Sequence, residues 1–245
     1  DFDQNGVEVT ADKVHVLREN FMLHETCRER IELTNYGDHR IRLPLSLSFS
    51  ADFADIFEVR GNVRDKHGEV LEPEKTERGI KLSYRGLDNV LRATHIEFSK
   101  SPRNLEETSA SFCFELEPGD SASLGVVIRC IENAEGDEEI RFPVDSTDEA
   151  EESAGPTENL SGLDYGDALS ILSRSLDSHR IASCRVHTAN EEFNRWLRRS
   201  FSDLCMLTSK TDHGPYPYAG TPWFSTVFGR DGIITAYELL WVNPD

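Results

Sequence analysis

From Val14 to about Ile131 the apolar residues of this chain recur at every second position, and that period decides most of what the first half can become. The clearest run is Ile41, Leu43, Leu45, Leu47 and Phe49, with Arg42, Pro44, Ser46, Ser48 and Ser50 on the opposite parity. Successive side chains of a strand point to opposite faces, so such a run is a strand with one face buried and one wet. Pro44 cannot donate to a ladder and therefore marks an edge or a bulge. Similar alternation links Phe21, Leu23, Cys27, Ile31 and Leu33. It recurs in Ile80, Leu82 and Tyr84, in Thr94, Ile96 and Phe98, in Phe112, Phe114 and Leu116, and in Leu124, Val126, Ile128 and Cys130. Turn signals punctuate the runs at Asn35-Tyr36-Gly37-Asp38, Lys66-His67-Gly68 and Pro118-Gly119-Asp120. Several strands at this spacing, with no helical pattern between them, predict an antiparallel β-sandwich over residues 1–131.

The pattern then breaks. Glu132 to Asn159 holds eleven Asp or Glu against a single basic residue, Arg141, together with Pro143, Gly155 and Pro156. A block of like charge repels itself and buries too little apolar area to offset its ordering entropy. Residues 132–160 are accordingly read as a solvated acidic linker, with Arg141-Phe142-Pro143-Val144 able to dock locally. After Leu160 the period becomes helical. Phe193, Trp196, Leu197, Ser200, Phe201, Leu204 and Cys205 form one stripe of a long helix, with Asn190 as N-cap and Glu191 and Glu192 in its first turn. An earlier helix is expected over Tyr165 to Leu176. A third is expected from Asp231 to Trp241, stopped by Asn243-Pro244. Three helices without partners make an incomplete domain over residues 161–245.

Length and charge narrow the function. The 245 residues suffice for two domains, and 38% hydrophobic residues with 13 Phe and 3 Trp supply a sizeable core. The formal net charge of −19 disfavours nucleic acid and anionic membrane, both of which reward clustered Lys and Arg. No window approaches the roughly 18 apolar residues needed to span a bilayer, and Asp1-Phe2-Asp3-Gln4-Asn5-Gly6 has no signal-peptide pattern. A cytoplasmic location is expected. The absence of an initiator Met points to a chain that begins within a longer protein. Cys27, Cys113, Cys130, Cys184 and Cys205 are scattered and read as reduced, buried thiols, and the eight His show no metal-ligand spacing.

The densest chemical signal runs from His213 to Gly232. Tyr216, Tyr218, Trp223, Phe224 and Phe228 sit there among three Pro and four Gly, so a loop conformation is expected. The segment ends in Gly229-Arg230-Asp231-Gly232 at a helix start. Sugars are held by stacking on aromatic rings and by paired hydrogen bonds from planar charged groups. Arg230 as a donor fork and Asp231 as a two-oxygen acceptor suit that chemistry. The plainer alternative is that Arg230 and Asp231 pair with each other, Asp231 caps the helix and the aromatics fill a core.

Tyr216 to Gly232 resembles the opening of the catalytic barrel in bacterial and archaeal glycogen debranching enzymes of the amylo-α-1,6-glucosidase type. Asn190 to Leu207 resembles the helix preceding it in that family. Ser48 to Gly61 (SFSADFADIFEVRG) resembles a signature of the family's N-terminal β-sandwich. The resemblance covers nearly the whole chain apart from the acidic block. It implies a sandwich followed by the first helices of an (α/α)6 toroid, an α-glucan or oligosaccharide substrate, no metal or organic cofactor, and intramolecular contact between sandwich and barrel. It also implies that Arg230 and Asp231 hold sugar hydroxyls, with Trp223 and Tyr218 lining the same pocket. The family's general acid and base lie on later helical hairpins, so neither is assigned here. For Asp52 and Asp55 the residues themselves favour turn capping, with a role at an interdomain face as the other possibility. A non-catalytic carbohydrate-binding sandwich and a related toroid enzyme, such as a trehalase-like hydrolase or a phosphorylase, stay open as alternatives.

Overall fold

The computed structural model of the chain describes residues 12–23, 26–132, 164–181, 184 and 186–242. Its contacts divide the chain into two compact units, Asp1–Ala54 with Val63–Ala168, and Asp55–Asn62 with Leu169–Asp245. The acidic block, its Arg141-Phe142-Pro143-Val144 motif and the Asn243-Pro244 stop lie outside the described residues.

The first unit is antiparallel throughout. Its strands are β1 (Val14–Leu23), β2 (Thr26–Asn35), β3 (Ile41–Ser48), β4 (Glu69–Val70), β5 (Glu74–Lys75), β6 (Gly79–Arg85), β7 (Leu91–Phe98), β8 (Asn104–Leu105), β9 (Ser109–Leu116) and β10 (Ser121–Glu132). One sheet of seven strands runs β1-β2-β10-β7-β6-β4, with β5 also on β6; a smaller sheet runs β3-β9-β8. The core lies between them. Ile31, Leu33, Ile80, Leu82, Ile96, Phe98, Leu124 and Val126 face Ile41, Ala110, Phe112, Phe114 and Leu116 in one buried cluster. The Phe98 and Phe112 rings meet edge to face at 5.2 Å. This is the expected sandwich-like arrangement, and Pro44 falls on an edge strand, since among the described residues β3 pairs only with β9.

Asn35 joins the two sheets where β2 turns toward β3. It is fully buried. Its amide donates to the carbonyls of His39 (2.9 Å) and Leu116 (3.1 Å), and its Oδ1 accepts from the Gly37 N–H at 2.8 Å. Every polar atom of the side chain is thereby matched, which is what burial demands.

The alternation from Phe21 to Leu33 is two strands rather than one. β1 and β2 form a hairpin whose register pairs Leu23 with Thr26 and Phe21 with Arg28. Cross-strand partners share a face, so Phe21 lies on the outer side with Arg28, while Ile31 and Leu33 on the other parity of β2 face the core. On the outside, Phe21 meets the Tyr165 ring at 5.1 Å and the Arg30 guanidinium lies 5.0 Å over the same ring.

Among the described residues of the second unit are α1 (Ile56–Val59), the larger part of α2 (Tyr165–Ile181), α3 (Glu191–Leu207), β11 (Thr208–Thr211), β12 (Gly214–Pro217) and α4 (Gly229–Leu239). α2 runs past the expected Leu176, and α4 begins and ends two residues before the expected bounds. The Asn190 cap is as expected, its Oδ1 accepting from the N–H groups of Glu192 (2.9 Å) and Phe193 (3.1 Å). The apolar stripe of α3 is only partly covered: Leu197, Phe201, Leu204 and Cys205 are half-buried, Phe193 and Trp196 are exposed, and Asn194 is the buried residue of that helix. Asn194 is held by Thr188, donating to its carbonyl at 2.8 Å and accepting from its N–H at 2.9 Å. No described helix is long and apolar enough to cross a membrane. The cysteines are thiols outside any disulfide, as expected, yet none is fully buried, and Cys130 and Cys184 are exposed. Cys130 carries the parity of the buried Leu124 and Val126 but lies near the end of β10, beyond the core residues of that strand.

Candidate functional site

The segment expected to be loop throughout contains a hairpin. β12 pairs with β11 across a two-residue turn, Thr211 opposite Gly214 and Thr208 opposite Pro217. Prolines normally argue against a strand. Here Tyr218 N–H continues the ladder to the Leu207 carbonyl at 2.8 Å, so even-numbered residues of β12 face the partner. Pro215 and Pro217 therefore turn their missing donors to the unpaired edge.

The hairpin sets the start of α4. Tyr216 reaches across and its hydroxyl donates to the Phe228 carbonyl at 2.8 Å. The ring crosses Gly232 so closely that a Cβ there would stand 2.1 Å from the hydroxyl oxygen. Only glycine admits that approach, and Gly232 is the buried residue of α4. The N-cap position is Phe228, with no side chain capping the helix. Asp231 is thus not the cap. It lies in the first turn, where a carboxylate is favoured by the positive helix end. Arg230 lies beside it, its Nη2 3.9 Å from Asp231 Oδ2 and its side chain 83% exposed. That is a loose pair, so both groups keep hydrogen-bonding capacity for a third party.

The aromatics do not fill a core. Trp223, Phe224 and Phe228 are exposed, Phe224 and Phe228 meeting edge to face at 5.9 Å, while Tyr218 is half-buried. Trp223 is engaged by residues from far upstream in the chain. The Arg60 guanidinium lies 3.9 Å over its ring, and Phe57 meets it edge-on at 5.5 Å and 84°.

Phe57 and Arg60 come from α1, a single turn built by its caps. Asp55 Oδ1 accepts from the N–H groups of Phe57 (2.8 Å) and Glu58 (3.0 Å), while Glu58 Oε2 accepts from the Asp55 N–H at 3.1 Å. This is a capping box. The turn ends at Gly61, whose φ of +92° suits a glycine, and the Asn62 N–H bonds back to the Phe57 carbonyl at 3.0 Å. Asp52 Oδ1 accepts from the Ala54 N–H at 3.1 Å, so both aspartates of the SADFAD segment cap turns. Neither Phe57 nor Arg60 was singled out by hydrophobic period. The signal that marks them is the Asp-x-x-Glu spacing at Asp55–Glu58.

The structure thus places Arg230 and Asp231 together at the head of α4, Tyr218 at the end of the hairpin, and Trp223 against α1. Among the described residues no three His, Cys, Asp or Glu converge to hold a metal ion. Arg230 and Asp231, side by side, offer donors and an acceptor to a third polar group.

Residues 1–127 match the sequence profile of the N-terminal domain of some glycogen debranching enzymes. No curated protein matches the chain. Among solved structures, a protein described as a kojibiose phosphorylase from the human microbiome aligns over 80% of this chain at 9% identity and a TM-score of 0.39. A polysaccharide lyase aligns over 53% of it at 12% identity and a TM-score of 0.34. The chain spans about a fifth, 22%, of the length of either protein.

Proposed function

The chain belongs to the family defined by the N-terminal domain of glycogen debranching enzymes, and on that premise we propose that it is the N-terminal part of a glycoside hydrolase acting on α-glucans, of the amylo-α-1,6-glucosidase type. The observation that carries the proposal beyond the sandwich is the open Arg230–Asp231 pair at the uncapped head of α4. Two donors of a guanidinium fork span adjacent hydroxyls, and the neighbouring carboxylate accepts from others. In this reading these residues bind and orient the sugar ring, and Trp223 and Tyr218 line the same pocket.

In this reading α2, α3 and α4 are the first helices of an (α/α)6 toroid. The exposed apolar side chains of α3 and α4, among them Trp196, Ile233 and Tyr237, support it, because helical hairpins packed on those faces would cover them. The general acid and base belong to later hairpins. If the reaction inverts, their carboxyls stand roughly 6.5–9.5 Å apart to admit the attacking water. The same reading makes an α-glucan the partner and the cytoplasm the compartment.

The test is Arg230→Ala in the full-length protein, assayed on a branched α-glucan. Turnover per KM should fall at least tenfold, about 1.4 kcal/mol of transition-state binding. Unchanged kinetics in a folded variant would overturn the Arg230 assignment. Glucan binding by the full-length protein without any bond cleavage would favour a carbohydrate-binding module instead.

A further inference from the structure

We propose that Arg60, with Phe57, holds the Trp223 indole so that one ring face stays open for a sugar, which makes residues 55–62 a built part of the saccharide site and Arg60 a positioning residue acting through Trp223. The inference rests on the assignment of Trp223 to the sugar site. Trp223 lies in a stretch, Thr221 to Phe228, in which every residue is exposed, so the loop itself does little to fix the ring. A free indole would lose rotamer freedom on binding, and that loss subtracts from affinity.

The α1 turn removes the freedom in advance. Its capping box and its glycine stop define where Phe57 and Arg60 stand. Arg60 then lies over the indole at 3.9 Å and Phe57 meets it at 84°, while Trp223 keeps 37% of its surface exposed. Arginine suits this task better than lysine, because a planar, weakly hydrated guanidinium stacks flat on a ring.

The experiment uses the full chain with Trp196→Phe and Trp241→Phe, two exposed positions, so that Trp223 is the sole fluorophore. Acrylamide quenching reports the ring's exposure, and calorimetric titration with a maltooligosaccharide reports binding. Arg60→Ala should raise the quenching constant about twofold and weaken binding about two- to fivefold, the range of an exposed cation–π contact. Arg60→Lys should recover part of both. In a Trp223→Ala chain, Arg60→Ala should cause no further loss of affinity, because the two act as one unit. Quenching or affinity unchanged in Arg60→Ala, with affinity lost in Trp223→Ala, overturns the positioning role alone. Affinity unchanged in Trp223→Ala, with binding measured on the full-length protein, overturns the sugar assignment and this inference with it. Arg60→Met keeps the aliphatic stem and serves if Arg60→Ala fails to fold.

Discussion

The two units are marked in sequence by equally regular apolar periods, yet they meet different fates. In the sandwich, Ile31, Leu33, Phe112, Leu124 and their neighbours are almost wholly buried. In the second unit, among the described residues, only Asn194 and Gly232 are buried, and neither brings an apolar side chain. What the units share is a buried asparagine matched to backbone groups, Asn35 in one and Asn194 in the other. A period reveals which side chains would gain from burial. Whether they are buried depends on an opposing surface, which the small sheet supplies to the large one.

The sharpest way to break this comparison is to truncate one aromatic in each unit. Phe112→Ala removes a 4% exposed ring that packs on Phe98, and should cost about 3–5 kcal/mol. Trp196→Ala removes a larger ring that is mostly in water, and should change stability by no more than about 0.5 kcal/mol. Urea unfolding of the full chain, followed by circular dichroism, measures both. Comparable losses would mean that the α3 stripe is packed in solution, and the contrast would fall.

Most of the sandwich was legible because side-chain period and backbone geometry coincide in a strand. The β3 run and the Pro44 edge needed nothing else. The Phe21-to-Leu33 run is two strands for a geometric reason: a register that sets Phe21 opposite Arg28 puts odd residues of β1 on the face of even residues of β2, away from Ile31. The β11–β12 hairpin was hidden by Pro215 and Pro217, which are tolerable only because one edge of a two-stranded ribbon is unpaired. At the site, Arg230, Asp231 and Trp223 were marked by residue type. Arg60 was not, since its role arises from a ring distant in sequence.

If the second unit is held by close backbone approach rather than apolar burial, Gly232 is its most sensitive point. Gly232→Ala places a methyl 2.1 Å from Tyr216 Oη, so the ring or the helix must shift. The expected cost is about 1–3 kcal/mol. It should appear as faster hydrogen exchange at α4 amides while sandwich amides stay protected. Because Tyr216 is the atom source of the clash, Gly232→Ala and Tyr216→Ala should be less than additive. A neutral Gly232→Ala would show that α4 is not seated on the hairpin.

The smallest expected effect concerns charge on the outer face of the large sheet. His95 stands opposite Lys81 on one neighbouring strand and Arg129 on the other. Burial, then Arg129 and Lys81, hold its imidazole below the ordinary range, against the weaker pull of Glu97 and Glu74. Those carboxylates are engaged, Glu97 with Arg129 at 2.7 Å and Glu74 with Lys81 at 3.1 Å. Below about pH 6.5 the unfolded chain takes up a proton that the folded sandwich resists. The stability contribution is therefore complete above that pH and is lost as pH falls toward the lower folded value. One proton limits the slope to about 1.4 kcal/mol per pH unit. Urea midpoints between pH 7.5 and 5 should decline, and His95→Gln should flatten the decline before the carboxylates titrate. A decline of the same slope in His95→Gln would assign it to other groups and leave His95 an ordinary half-exposed histidine.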